Sequence, residues 1–86
     1  MIVYTAYILK SEKTGSYYIG SSDDHKKRIV KHNKGYSRYT KGKGPFILVY
    51  KEEFYSRSEA KKREYYLKSL KSRKALEKII NSAPVV

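Results

Sequence analysis

Arg28 and His32 lie four residues apart and form the first pair in the sequence that could do chemistry together. Residues at this spacing share one face of an α-helix, so a guanidinium and an imidazole would project side by side. Arginine offers planar donors for phosphate oxygens, and histidine can transfer a proton near neutral pH. The pair indicates either a phosphate-processing site or an ordinary solvated basic face, and on its own the spacing favours the solvated face.

Glu64 falls on or beside an apolar stripe with helical spacing. A carboxylate at such a position needs a partner, because burying an unpaired charge is costly. One interpretation is a structural ion pair with Lys61 or Lys68. The other is a divalent cation site, since Mg²⁺ is typically held by one or two carboxylates and several waters. The stripe consists of Ala60, Leu67 and Leu70.

Ten of the 86 residues are tyrosine, and we expect most of them to fill the core with their hydroxyls at the surface. Tyr7 and Tyr18 differ because they lie on the two strands of a predicted hairpin. Gly20 follows Tyr18 closely, and its missing side chain would let a ligand or another backbone approach. A phenol there could orient a water or take its proton if adjacent cations lowered a pKa that is ordinarily near 10.

The elements that must position these groups follow in the order β-β-α, a loop or short helix, then β-α-α. Aromatic and β-branched composition predicts strands over residues 3–9, 17–20 and 46–55, the first of them buried on both sides. Gly15 can adopt positive φ in the turn between the first two strands. Three glycines and a proline predict the loop or short helix over residues 35–45.

Capping residues predict where the three helices begin. The first helix should have Ser22 or Asp23 as its cap and end near Asn33. The second should open with a capping box over residues 56–59 and end near Leu70. The third should begin after Ser72 and end near residue 80. We expect one domain over residues 1–86, with a frayed tail over residues 81–86.

The net charge is +12, from 20 basic and 8 acidic residues. So large a charge repels itself in a small domain, and nucleic acid is therefore the expected partner. Residues 22–45 hold eight basic residues and two acidic ones, which predicts the phosphate-binding surface there. The alternative is a soluble basic face without a specific ligand. The predicted contact residues are Lys26, Lys27, Lys31, Lys34, Arg38, Tyr39, Lys41 and Lys43.

Several classes of protein are disfavoured by composition. The sequence has no cysteine, which excludes a disulfide framework and a thiolate zinc site. Its longest apolar run, residues 46–50, is far too short to cross a membrane, and the first residues lack the features of a signal peptide. We expect a cytoplasmic protein with no membrane partner. Nothing in the sequence indicates a protein partner or an oligomeric state.

Taken as an ordered set, these residues resemble the GIY-YIG nuclease domain family, in its small single-domain branch. The resemblance covers nearly the whole chain. It rests on Ala6-Tyr7-Ile8, Tyr18-Ile19-Gly20, Arg28, His32 and Glu64 within SEAKKREYYLK. The sequence departs from the family pattern in several places, among them the first motif and the position of Ser21. The first motif reads Ala-Tyr-Ile instead of Gly-Ile-Tyr, and Ser21 stands where some relatives carry a lysine near the phenol.

The resemblance implies an α+β fold, in which helices flank a three-stranded, mainly antiparallel sheet. It also implies metal-dependent hydrolysis of phosphodiester bonds, in DNA rather than RNA, with little sequence specificity. Selection of substrates by their structure and a link to DNA repair or recombination are further expectations of the resemblance. The competing hypotheses are a catalytically inactive nucleic-acid-binding module and an adaptor for an acidic protein. The feature that favours the enzyme is the complete polar set, since simple binding has no use for a carboxylate facing an anionic ligand. The set consists of Tyr7, Tyr18, Arg28, His32 and Glu64.

The resemblance also implies a role for each catalytic residue. Tyr18 would be the general base or the phenol that orients water, with Tyr7 in the same hydrogen-bond network. Arg28 would stabilise the pentavalent transition state, and His32 would assist proton transfer or position the phosphate. Glu64 would hold one Mg²⁺ or Mn²⁺.

Overall fold

The computed structural model describes residues 2–33, 44–70 and 72–82. Its three strands form one antiparallel sheet in the order β2-β1-β3, with three helices packed around it. This confirms the predicted α+β fold and the predicted order of elements. The strands are β1 (Tyr4–Ser11), β2 (Tyr17–Ser22) and β3 (Phe46–Phe54), and the helices are α1 (His25–Asn33), α2 (Arg57–Ser69) and α3 (Arg73–Ser82).

The central strand β1 is buried on both faces, as its composition predicts. Because successive side chains of a strand alternate, its residues divide between two apolar clusters. Tyr7 and Leu9 belong to the cluster that α1 covers through Ile29. Ile8 belongs to the cluster that α2 covers through Leu67, and α3 also packs there. The sheet therefore separates α1 from α2 and α3.

The hairpin between β1 and β2 turns at Gly15, whose φ of 76° is in the region that favours glycine. The Gly15 N–H donates to the Ser11 carbonyl at 2.8 Å, and the Ser11 N–H donates to the Ser16 carbonyl at 2.9 Å. This turn was predicted. The pairing extends β1 to Ser11 and β2 to Ser22, two residues beyond each predicted strand end.

Helix α1 is capped by Asp24, and not by Ser22 or Asp23 as predicted. The Asp24 carboxylate accepts a hydrogen bond from the Lys27 N–H at 3.1 Å, as an N-cap does. The reason for the shift is that Ser22 is still paired with Thr5 in the sheet, so the chain turns into the helix only after it.

The other two helices begin where their sequences predict. The Ser56 hydroxyl accepts from the Glu59 N–H at 3.2 Å and caps α2. The Ser72 hydroxyl accepts from the Ala75 N–H at 3.3 Å at the start of α3. Helix α3 continues to Ser82, so the first two residues of the predicted tail are helical. The rest of that tail lies outside the described residues.

The side chain of Asn33 joins the end of α1 to the start of β3. Its Oδ1 accepts from the Phe46 N–H at 2.5 Å, and its Nδ2 donates to the Phe46 carbonyl at 3.3 Å. The amide therefore pairs with Phe46 much as a neighbouring strand would. Most of the predicted loop or short helix of residues 35–45 lies outside the described residues. Within the described part of the chain, no helix has both the length and the apolar character needed to span a bilayer.

Candidate active site

The Tyr7 ring packs across Gly20 of the neighbouring strand. The two residues are directly opposite each other in the β1–β2 register. A Cβ added to Gly20 would lie 2.7 Å from the Tyr7 hydroxyl and 2.8 Å from Cζ, closer than real contacts allow. Because Gly20 has no side chain, the phenol ring of Tyr7 fits against it. The space is therefore filled by this same chain, and not by the ligand or other backbone that was predicted.

Tyr7 is fully buried, with 0% of its surface exposed. Its hydroxyl meets the geometry of a hydrogen bond with no group among the described residues. Burial raises the pKa of Tyr7 above the ordinary 10.0, and the nearby Arg28 guanidinium only partly offsets this. Tyr18 and Glu64 raise the pKa further. Tyr7 is thus a neutral phenol, unsuited to accept a proton near pH 7.

Tyr18 lies beside Tyr7 on the same face of the sheet, opposite Leu9 in the register. Its ring packs against the cluster of Tyr7, Leu9 and Phe46, and its side chain is only partly buried. Tyr18 contributes to the pKa shifts of both Tyr7 and Arg28, so its hydroxyl is within electrostatic range of both groups. Of the two phenols, Tyr18 is the one that solvent can reach.

Arg28 projects from the first turns of α1. Its guanidinium interacts with Tyr7, and also with Tyr18 and Glu64 at longer range. Its surface is exposed, so its charge is available to a phosphate. Because Asp24 caps the helix directly before this turn, the position of Arg28 follows from the end of β2.

Some of the predicted site residues lie outside the described part of the chain. The backbone of Lys31 and His32 belongs to α1, but their side chains are not described, and the structure does not place the imidazole. The structure therefore leaves the predicted pair of Arg28 and His32 as a prediction. Lys26 and Lys27 are exposed on α1. The remaining predicted contacts outside the described ranges are Lys34, Arg38, Tyr39, Lys41 and Lys43.

Glu64 is a buried carboxylate, with 6% of its surface exposed, and it points from α2 toward β2. Its Oε1 accepts from the Ser21 hydroxyl at 2.5 Å and lies 3.4 Å from Lys61 Nζ. Its Oε2 lies 2.7 Å from Lys68 Nζ. The ion pair that the sequence analysis weighed as an alternative is therefore present, with both lysines.

The ionisation of Glu64 follows from these contacts. Burial opposes the charged form, but Lys68, Ser21 and Lys61 together outweigh it and hold the pKa of Glu64 below its ordinary 4.5. The carboxylate is therefore charged at neutral pH. Because Oε2 accepts from a single ammonium, it keeps a lone pair for a further ligand.

Packing holds α2 in the orientation that directs Glu64 inward. Ala60 and Leu67, one turn to either side, are buried with Glu64, as the predicted stripe requires. Arg63 Nε lies 2.9 Å from Glu52 Oε2, and this carboxylate also accepts from the Tyr50 hydroxyl at 2.6 Å. This network ties α2 to β3.

The candidate groups meet around β2, which is an edge strand of the sheet. Tyr7, Tyr18 and Gly20 face α1, whereas Ser21 faces α2, because neighbouring residues of a strand point in opposite directions. Glu64 reaches the strand from the α2 face yet acts on the ionisation of Tyr7 and Arg28. The structure thus gathers two phenols, a guanidinium and a carboxylate at one edge of the sheet.

A metal ion at this site would have one carboxylate ligand. The described residues contain no group of three or more acidic or histidine side chains that could hold an ion. The Glu64 carboxylate, which Ser21 holds in place, is nevertheless an oxygen ligand of the kind that Mg²⁺ takes. It fits a cation held by one carboxylate, provided that Lys68 gives way at Oε2.

A groove of about 350 Å³ opens between the beginnings of α1 and α2, next to these groups. We call it the α1–α2 groove. Arg28 and Ser21 line it, and so do the cationic side chains Lys27, Arg57 and Lys61. Sequence reasoning missed Arg57 and assigned no site role to Ser21. The signal for Arg57 was its place directly after the Ser56 cap, which puts its charge at the start of the helix that carries Glu64.

Comparisons with known proteins identify relatives of this chain. The model of the GIY-YIG catalytic domain matches residues 3–78. A UPF0213 protein of Staphylococcus saprophyticus is 49% identical over 74 residues, which cover 85% of this chain and 89% of that protein. A UPF0213 protein of Clostridium perfringens is 46% identical over 74 residues, 85% of this chain and 78% of that one. The solution NMR structure of a UPF0213 protein of Bacillus halodurans is 40% identical and superposes with a TM-score of 0.59, covering 92% of this chain and 83% of the other.

Proposed function

Because the chain belongs to the GIY-YIG catalytic domain family, whose members are typically endonucleases, we propose that it is a metal-dependent endonuclease. It hydrolyses phosphodiester bonds in DNA with little sequence specificity, and it selects substrates by their structure in DNA repair or recombination. The single observation that carries the proposal is the buried, ionised Glu64 within electrostatic range of Arg28 and Tyr7. An ionised carboxylate beside phosphate-binding groups suits catalysis better than binding.

In this proposal Tyr18 orients the attacking water or accepts its proton, and Tyr7 positions Tyr18. The assignment follows from exposure, because solvent reaches Tyr18 whereas Tyr7 is sealed under the sheet edge. The raised pKa of Tyr7 keeps its buried phenol protonated, so that it can act as a hydrogen-bond donor within the site. The two phenols are close enough for Tyr18 to contribute to the raised pKa of Tyr7.

Arg28 neutralises the charge that develops on the pentavalent phosphate. Its guanidinium can bind two oxygens at once, and its contact with Tyr7 fixes it near the phenols. His32, one helical turn further along α1, assists proton transfer or holds the phosphate.

Glu64 is the proposed metal ligand. When bound, Mg²⁺ or Mn²⁺ would act as a Lewis acid on a phosphate oxygen. Lys68 leaves Oε2 for a phosphate of the incoming strand, and Ser21 keeps Oε1 oriented through its hydrogen bond. Lys61 and Lys68 compensate the buried charge of Glu64 in this structure.

A second function is a nucleic-acid-binding module that does not hydrolyse its ligand. The observation that favours it is the same ion pair, because Glu64 already has its charge compensated by Lys61 and Lys68. In such a module the carboxylate would serve only to order two lysines on the surface of α2.

The test is cleavage of supercoiled plasmid and of branched DNA with Mg²⁺, with Mn²⁺ and with a chelator. We expect wild-type cutting that needs a divalent ion and is faster on one DNA structure than another. Glu64→Gln, Tyr18→Phe and Arg28→Ala should each cut about 100-fold more slowly, the usual effect of removing a transition-state contact, and still bind DNA. Lys62→Gln, an exposed change on α2, should cut normally.

Two outcomes would count against the proposal. Full cutting by Glu64→Gln would reject Glu64 as the metal ligand. Tight binding by the wild type, without cutting under either metal, would favour the second function. Circular dichroism of each variant separates loss of the site from loss of the fold.

A further inference from the structure

We infer that the α1–α2 groove binds a second phosphate of the substrate strand, with Arg57 as the main contact. The inference rests on the proposed function, because it places the substrate strand along the site described above. Arg28 and Ser21, which also belong to that site, line the same groove as Arg57. A strand with one phosphodiester at Arg28 would therefore carry a neighbouring phosphate into the groove.

The charge of the groove suits an anion. Four cationic side chains line it, Arg28 and the three others named above, against the two carboxylates of Asp23 and Asp24. Four minus two leaves a net charge of +2 on the lining, and three of the four cations, Lys27, Arg28 and Arg57, lie outside the ion pair of Lys61 with Glu64. The Asp24 carboxylate is also committed to capping α1, where it accepts from the Lys27 N–H. A volume of about 350 Å³ is enough for one phosphate group with part of its sugar.

Arg57 is already oriented for such a contact. Its guanidinium lies over the Tyr4 ring, 5.3 Å from the ring centroid. This cation–π contact restrains the side chain while leaving the N–H groups at the guanidinium edge for oxygen acceptors. Arg57 forms no ion pair with any carboxylate of residues 2–33, 44–70 and 72–82. A guanidinium that is held in place and unpaired loses less entropy when it binds a phosphate.

The experiment measures binding of a fluorescein-labelled single-stranded oligonucleotide to the full chain, in chelator, over a series of NaCl concentrations. Arg57→Gln should weaken binding about tenfold, as loss of a charge-assisted contact does. It should also reduce the slope of log affinity against log salt by about 0.7, the value for one phosphate on a single strand. Lys62→Gln removes the same charge from the same helix outside the groove, and it should leave the slope unchanged.

Tyr4→Leu tests the contribution of the Tyr4 ring separately from that of the Arg57 charge. It keeps the net charge but removes the ring on which Arg57 lies, so we expect weaker binding than wild type. An unchanged unfolding midpoint in urea shows that the variant is folded, and a conservative Tyr4→Phe should restore binding. Normal binding by folded Tyr4→Leu would contradict the role of Tyr4.

The remaining outcomes decide the inference independently of the nuclease proposal. An unchanged slope in Arg57→Gln, or an equal loss in Lys62→Gln, would overturn the subsite even if the wild type cuts DNA. A loss seen only with 5′-phosphorylated oligonucleotide would overturn the internal phosphodiester in favour of a strand end. Because the assay contains chelator, a reduced slope supports the subsite even if the wild type never cuts DNA.

Discussion

At the scale of single residues, Glu64 shows how neighbours decide the state of an ionisable group. Burial alone would raise the pKa of this carboxyl, but three donors from β2 and α2 reverse the effect and lower it. A carboxyl whose pKa is lower in the folded state than in the unfolded state stabilises the fold at pH values above its pKa in the unfolded state. That stability is lost as pH falls through the folded value.

Glu64→Gln should therefore change the pH dependence of folding. In the wild type, the free energy of unfolding should decrease as pH falls below about 4.5, with Glu64 contributing to the decrease. The variant should show a smaller decrease over the same range. Urea unfolding at several pH values between 7 and 3 measures this, with the exposed Glu53→Gln as control. Parallel curves for wild type and Glu64→Gln would contradict the assigned pKa shift.

Gly20→Ala tests the contact between Gly20 and Tyr7. The added methyl group would overlap the buried phenol, which cannot move away without disturbing the core. We expect a loss of about 1–3 kcal/mol in the free energy of unfolding. When Tyr7 is replaced by leucine, the same Gly20→Ala change should cost less free energy than it does in the wild type. A double-mutant cycle of wild type, the two single variants and Gly20→Ala/Tyr7→Leu measures this difference. Strictly additive losses would show that the two residues do not compete for space.

The residues of the candidate site differ in how far the sequence could predict them. Tyr7, Tyr18, Arg28 and Glu64 follow from short motifs and helical or strand spacing, which are local properties. The contact of Arg57 with Tyr4 depends on how the start of α2 packs near the start of β1, and no spacing encodes that. The lysine partners of Glu64 were predictable because they lie three and four residues away on the same helix.

At the scale of elements, helix α2 carries both Glu64 and Arg57, so its first turn matters to the whole site. Its Ser56 cap was predictable from a local motif. The start of α1 was not, because sheet pairing at Ser22 moved the cap to Asp24. Local sequence motifs were enough to predict the order of these elements. The ends of the strands depend on pairing between strands that are distant in sequence, which the motifs do not encode.

Ser56→Ala should destabilise the protein by about 1 kcal/mol, because the Glu59 N–H loses its acceptor at the helix start. The matched control is Ser58→Ala, an exposed position two residues further along the chain, and it should have little effect. Midpoints of urea unfolding for the two variants make the comparison. Equal midpoints would mean that packing against the sheet, and not the cap, determines how α2 begins.

At the scale of the whole molecule, a net charge of +12 is confined within a radius of gyration of 12.3 Å. At 10 mM salt the screening length is about 30 Å, so nearly all of these charges repel one another. At 0.1 M it falls to about 10 Å, and charges on opposite sides no longer interact strongly. The same charge that attracts a nucleic acid therefore opposes folding when no anion is bound.

Added salt should accordingly stabilise the free protein. We expect the melting temperature to rise as NaCl increases from 10 to 300 mM, because repulsion is screened. Differential scanning calorimetry measures the change, and the double variant Lys26→Gln/Lys62→Gln should show a smaller rise. A melting temperature that falls with salt would indicate that attractive ion pairs, such as those of Glu64, outweigh the repulsion.

The hydrogen bonds between the Asn33 side-chain amide and the Phe46 backbone have a consequence for protein engineering. These hydrogen bonds join the end of α1 directly to the start of β3 and so help to align the two elements. Lengthening such a connection costs little entropy. A peptide of foreign sequence could therefore be grafted between these anchors, next to the candidate active site, while the β-sheet keeps its alignment.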